Sequence, residues 1–262
     1  MTGLDRVLRS SRPALLAVAG ALVWAAPALA DDGAIQAKIE RRLLKAGLAD
    51  AAEVQVEVAN GVATLRGVTM TLEAKRGAER AARKEAKTVT NLIRVFPDAR
   101  RDADILKDAR NAILRYPYYT VFDSVDLGVS DGVAVLRGSV RHDVRRRDIE
   151  SAVARVPGLR DVKNEIQVQS ASFFDERLRR QIYTAIYRDR LLPFAGRPDA
   201  PVRIIVDNGR VTLTGWVNSA VDRQVFGNLA NSTLAFRVEN RIKVDGEAPE
   251  VDQPKTKDRI VI

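Results

Sequence analysis

Side chains that carry acid–base, nucleophilic or metal chemistry are sparse in this chain. One histidine, His142, stands among 262 residues, and there is no cysteine. A lone imidazole has no thiol and no second imidazole with which to hold a metal or build a relay. The neighbouring carboxylates Asp31 and Asp32 read as a solvated end of a processed chain. No G-x-S-x-G, P-loop or H-E-x-x-H pattern occurs. The expectation is a non-catalytic protein with no cofactor and no metal site.

Charge offers more than acid–base chemistry does. Arg145, Arg146 and Arg147, with Arg141 nearby, open one helical stretch, and Lys75, Arg76, Arg80, Arg83, Lys84 and Lys87 crowd another. Arg80, Arg83, Lys84 and Lys87 recur at three- and four-residue spacing and so share one helix face. Such a face can hold anionic headgroups at about 1 kcal/mol per basic residue. The alternative is a solvated face neutralised by Glu73, Glu79 and Glu85. Aromatic residues cluster at Tyr116, Tyr118, Tyr119 and Phe122, and again at Phe173, Phe174, Tyr183, Tyr187 and Phe194. They suit either a bilayer headgroup zone or a seam between domains.

The compartment follows from the N-terminus. Arg6, Arg9 and Arg12 precede an uncharged apolar run from Leu15 to Ala26, and Ala28-Leu29-Ala30 precedes Asp31. This is the pattern of a secretory signal peptide, residues 1–30, cleaved after Ala30. Cleavage removes three arginines and one aspartate, so the net charge falls from +9 to +7. A positive exported protein in the periplasm meets anionic phospholipid or another envelope component; a nucleic-acid partner is not expected. Without cysteine, each domain rests on its own core.

The elements that position these groups are written three times. Asn60-Gly61-Val62-Ala63-Thr64-Leu65-Arg66-Gly67 returns as Asp131-Gly132-Val133-Ala134-Val135-Leu136-Arg137-Gly138 and as Asn208-Gly209-Arg210-Val211-Thr212-Leu213-Thr214-Gly215. Before each copy lies helical spacing: Ile35, Ile39 and Leu43; Ile105, Ala109 and Ile113; Leu178, Ile182 and Ile186. A strand then leads into the Asn-Gly or Asp-Gly turn, whose residues tolerate the positive φ of a type I′ hairpin. Gly61, Gly132 and Gly209 are turn glycines, and Gly67, Gly138 and Gly215 end the returning strands where the backbone approaches closely or bulges. A second helix follows, with Ala78, Ala81 and Ala82 aligned with Ile149, Ala152 and Val153 and with Phe226, Leu229 and Ala230. Thr71, His142 and Ser219 align at its start, where Thr and Ser suit an N-cap. A third strand ends each copy: Val89 to Val95, Val162 to Val168 and Val238 to Val244, each with V-x-N at its start.

The resulting fold class is α+β, three tandem αββαβ modules, each a three-stranded mixed sheet with two helices on one face. The expected boundaries are 32–97, 102–170 and 173–245, with a flexible charged tail at 246–262 whose apolar end, Ile260-Val261-Ile262, has no evident role. Alternation turns Gln55, Glu57 and Arg203 to the polar face. With three alanines on its second helix, the first module is expected to be the least stable or to lean on a neighbour.

The glycine motif, the helix before it and the V-x-N-x-I-x-V strand, repeated in register, resemble the BON domain, named for bacterial osmotically inducible and nodulation proteins. The third copy departs at Arg210, where valine is expected, and in its long loop from Pro193 to Pro201. The resemblance implies small non-enzymatic modules of envelope proteins, proposed to bind phospholipid and linked to envelope integrity and osmotic stress tolerance. A protein-interaction scaffold that docks an envelope partner through its repeated modules is the alternative.

Overall fold

The computed structural model describes residues 26–48, 54–96, 100–188, 191–194, 196–246 and 259–261. Module 1 comprises α1 (Ala26–Lys45), β1 (Gln55–Ala59), β2 (Val62–Arg66), β3 (Val68–Thr69), α2 (Leu72–Ala82), β4 (Thr88–Asn91) and β5 (Arg94–Val95). Module 2 comprises α3 (Asp102–Leu114), β6 (Ser124–Ser130), β7 (Val133–Val140), α4 (Asp143–Ala154) and β8 (Asp161–Val168). Module 3 comprises α5 (Phe173–Tyr187), a 3-10 turn (Leu192–Phe194), β9 (Val202–Asp207), β10 (Arg210–Val217), α6 (Ala220–Asn231), β11 (Arg237–Asn240) and β12 (Lys243–Val244). A last strand, β13 (Arg259–Val261), follows from the tail.

Each sheet places the returning strand of the hairpin in the middle. β1 and β2, β6 and β7, and β9 and β10 pair antiparallel, and the third strand pairs parallel with the middle one after a helical crossover. The turns carry the expected left-handed backbone: Asn60, Asp131 and Asn208 have φ near +50°, and the glycine after each lies between +71° and +75°. Gly67 separates β2 from β3, but Gly138 and Gly215 lie inside β7 and β10, two residues before the strand ends they were expected to form; both are left-handed, and a Cβ there would overlap the carbonyl oxygens of Ser124 and Pro201. These glycines are architectural. Thr71 and Ser219 cap α2 and α6 through bonds from the Ala74 and Asp222 amides, whereas His142 makes no side-chain cap bond.

Helices and sheet enclose one core per module. Ile39, Leu43, Leu65, Ala78, Ala82 and Ile93 form the first; α3, α4 and the β6–β8 sheet enclose the second; Tyr187 and Phe226 are the largest side chains of the third. Where Ala78 stands in module 1, Ile149 and Phe226 stand in the others, fully buried. Each larger side chain adds about 2 kcal/mol of burial. Module 1 leans on its neighbour in compensation. Leu72 joins the core of module 2, and Arg76 reaches Glu150 at 2.8 Å and Asp161 at 3.3 Å.

Modules 2 and 3 meet in a deeper seam. Val121 packs into the core of module 3, and its carbonyl accepts from the Ile204 amide at 2.8 Å. Arg203, expected on a solvated polar face, is buried there. It donates to the Thr120 and Pro198 carbonyls and lies 4.8 Å from the centre of the Tyr119 ring. The alternation is right for the strand; the neighbouring module covers the face. Phe122 and Tyr183 meet at 5.7 Å across the same seam.

The end of the expected flexible tail is a strand. β13 pairs antiparallel with β6, Ile260 opposite Leu127. Residues 247–258 lie outside the described residues, as does most of the expected signal segment, 1–25. Among the described residues no helix is long and apolar enough to cross a membrane.

Candidate binding surface

Three carboxylates fix the hairpin turns. Asp32 accepts from the amides of Asn60 and Gly61, at 2.7 and 2.8 Å. Asp102 does the same for Asp131 and Gly132, and Asp175 for Asn208 and Gly209. Asp32 and Asp175 are buried. Asp32 is therefore a clamp on the turn, not part of a solvated end. Two amides donating to one carboxylate satisfy groups the hairpin cannot. The signal was readable, since an aspartate precedes each turn glycine by 29, 30 or 34 residues.

The third strand is pegged by its asparagine. Asn91, Asn164 and Asn240 donate from Nδ2 to the carbonyls of Lys75, Arg146 and Arg223 in the second helices. Their Oδ1 atoms accept from the amides two residues on. Glu79 and Glu150 also hold the first two pegs. In module 3 the same helix position is Gly227, where a Cβ would press on Asn240. The repeated motifs thus build the module and leave function to the residues that differ.

Much of the basic charge is engaged internally. Arg145, 13% exposed, pairs at 2.5 Å with Asp123, which is fully buried. Asp123 also accepts from the amides of Thr120 and Arg141 and from the Thr120 hydroxyl. Arg141 pairs with Glu176 across the seam at 2.8 Å. Arg146 and Arg147 both reach Asp143 on their own helix, at 2.5 and 3.5 Å. On α2 Arg80 pairs with Glu73 and Arg83 with Glu79. These contacts agree with the neutralised-face alternative. The helix ends at Ala82 with Arg83 as its C-cap, so Lys84 and Lys87 lie beyond it in the connection to β4 and do not share a helix face with Arg80; both are exposed and have no ion pair among the described residues.

His142 is exposed between Arg141 and Arg145, and its pKa is pushed below the ordinary value, first by partial burial and then by those cations. No acidic cluster suited to a metal occurs among the described residues.

The module ends are where the copies diverge most in character. Two residues before each V-x-N stand Lys87, Arg160 and Phe236. The Arg160 and Phe236 amides donate to the carbonyls of Gly132 and Gly209, which places both side chains beside their hairpin turns. In module 3 this end is aromatic. Phe236 is 77% exposed and stacks on Phe174 at 5.1 Å, and the adjacent Phe173 is 97% exposed. Ser172 caps α5 there by accepting from the Phe174 and Asp175 amides. Leu234 adds another exposed apolar side chain. Arg210 and Arg237 lie side by side on neighbouring parallel strands, both exposed and without an ion-pair partner among the described residues. With Asp207, Asn208 and Phe236 they line a shallow open concavity.

The BON domain model matches residues 31–97, 101–170 and 174–246, most of the chain. The chain belongs to the BON domain family. BON domains are known in envelope and periplasmic proteins, and the family is generally non-enzymatic. Comparison with curated proteins finds no match. Among solved structures, the chain is similar to the C-terminal domain of CdsD, a structural protein of the type III secretion system of Chlamydia trachomatis. The identity is 14%, with 79% of this chain and 96% of that one covered and a TM-score of 0.25. A second CdsD structure gives 13% identity, 79% and 90% coverage and a TM-score of 0.24. Likeness at that level says nothing of what these BON modules bind.

From sequence Asp32 reads only as part of a solvated end, and neither Asp102 and Asp175 nor the module 3 Arg210–Arg237 pair stands out. The aspartates needed an alignment of the helices as well as the turns. The arginine pair needed the parallel register that sets residues 27 positions apart side by side.

Proposed function

We propose that this protein is an exported, non-catalytic envelope protein that holds an anionic phospholipid surface through the turn end of its third BON module. One observation carries the reading: exposed Phe173, Phe236 and Leu234 share an end with the adjacent cations Arg210 and Arg237. Aromatic rings suit the headgroup zone, and exposed arginines with no ion-pair partner among the described residues suit phosphate oxygens. Lys84 and Lys87 of module 1 supply a second, weaker contact whose avidity depends on facing the same surface. The role is support of envelope integrity or osmotic stress tolerance.

Export with cleavage after Ala30 fits the repeat as well as the leader. Asp102 opens its helix and Asp175 lies in the first turn of α5, whereas Asp32 lies well inside α1. Removal of residues 1–30 brings Asp32 to the corresponding place at the start of its helix.

Cosedimentation with vesicles tests the lipid reading. The chain should bind vesicles of anionic lipid at low salt and release neutral ones. Arg210→Glu with Arg237→Glu should weaken binding by about 30-fold or more, from about 1 kcal/mol per basic residue. Phe173→Ser with Phe236→Ser should weaken it independently of salt. Absence of binding by the unaltered chain to anionic vesicles at low salt overturns the reading.

A further inference from the structure

The first strand of the module presents a particular edge to whatever lies beside it. In module 2 the Val125 amide points away from β7 and donates to the Tyr119 hydroxyl at 3.1 Å. Antiparallel strands alternate with period two, so the Leu127 amide faces that same outer edge. Ile260 of β13 stands opposite Leu127 on this edge. In module 3 the corresponding residue, five before the turn glycine, is Ile204. Its amide also points outward and donates to the Val121 carbonyl. Two modules thus fill the same edge position with different parts of the chain, each time with a β-branched apolar residue: Ile260 within a strand, and Val121 within the turn that the Asp123 amide closes on the Thr120 carbonyl.

The two occupants are held differently. Val121 lies three residues before the start of β6 and is buried in the seam, so it cannot leave without parting modules 2 and 3. β13 pairs over three residues against a seven-residue strand. It is joined to β12 through a stretch that contains Pro249 and Pro254, with Glu247, Glu250 and Asp252 followed by Lys255 and Lys257. Three backbone pairs on a long tether make a ligand whose retention depends on its local concentration. An unpaired strand edge is itself a template for another strand.

We infer that the outer edge of β6 is a peptide-docking site, occupied in cis by the C-terminal strand. It accepts from a protein partner an extended segment with a β-branched apolar residue opposite Leu127. The tail acts as a tethered competitor and guards the edge against indiscriminate strand pairing. This site is separate from the lipid contact, and its failure would leave that reading untouched.

The test uses the full chain carrying Ile260→Pro, because proline removes the amide that would face β6 and cannot extend the ladder. The probe is a labelled synthetic peptide of residues 255–262. It should bind the Ile260→Pro chain saturably and bind the unaltered chain at least about tenfold more weakly, since the tethered strand competes. Hydrogen exchange gives the second readout. The Leu127 amide should exchange at least about tenfold faster in the Ile260→Pro chain and regain protection when peptide is added. Equal exchange of Leu127 in the two chains, or no peptide binding to the Ile260→Pro chain, overturns the inference.

Discussion

Arg145→Ala separates a structural arginine from a binding one. The Asp123 carboxylate is fully buried and faces the Arg145 guanidinium at 2.5 Å. Removing one partner of a buried ion pair typically costs 3–5 kcal/mol, because the remaining charge stays uncompensated. Here three donors remain to Asp123: the Thr120 amide and hydroxyl and the Arg141 amide, at 2.9 to 3.0 Å. The expected cost is therefore at or just below the lower limit, about 2–3 kcal/mol. Urea unfolding followed by circular dichroism measures it, as a double-mutant cycle of Arg145→Ala with Asp123→Asn. The control cycle pairs Arg147→Ala with Asp143→Asn, where Arg147 is 66% exposed and the contact is 3.5 Å. Coupling of about 2 kcal/mol is expected in the first cycle and under about 0.5 kcal/mol in the second. Equal, small couplings would refute the reasoning that burial assigns Arg145 to the scaffold. The same result has a practical consequence for binding assays. Charge reversal at Arg145 would disturb the fold of module 2, so loss of vesicle binding in that variant could not locate a lipid site.

Asp175→Ala should destabilise module 3 by about 2 kcal/mol, since the Asn208 and Gly209 amides lose a buried carboxylate; thermal unfolding reads it, and an unchanged midpoint contradicts the clamp. Burial chiefly pushes the Tyr119 hydroxyl up to about 12, so the folded state keeps a neutral phenol where the unfolded chain ionises near 10. Its contribution is complete below about pH 10 and is lost as pH rises toward about 12; Tyr119→Phe should flatten the fall in an alkaline unfolding series. Hydrogen bonds from Arg83 and then Asn91 hold Glu79 below its ordinary 4.5, so its contribution is present above that pH and fades as pH falls further; Glu79→Gln should reduce the acid slope of module 1 stability.

The module was legible because its signals are local. An Asn-Gly dipeptide needs only its own backbone to turn, and apolar residues at three- and four-residue spacing define a helix face wherever they stand. Arg203 shows where such reading ends. Its alternation was correct, yet its burial comes from Thr120 and Tyr119 of the neighbouring module and from Pro198 in the loop that leads into its own strand. The basic helices taught the same lesson in charge. Arg145 and Arg147 are two residues apart in sequence, but one meets a buried carboxylate from the α3–β6 connection and the other mainly solvent. Ile260 offered no periodic context, being three apolar residues at the end of a charged stretch, and only the sheet edge in module 2 explains it. The aromatic start of the third copy was recognisable as a cluster. Its division into Tyr183 at the seam, Tyr187 in the core and Phe173 in solvent follows from packing.

The most direct test of the proposed lipid contact uses the chain's lack of cysteine, which allows one environment-sensitive label at a time. Labels at Phe173→Cys and at Lys84→Cys would be compared on titration with anionic vesicles. The account predicts a blue shift in emission at position 173 that survives moderate salt, with a smaller, salt-sensitive response at position 84. A shift at position 84 with none at 173 would contradict it and place the contact on the basic turn that follows α2 of module 1.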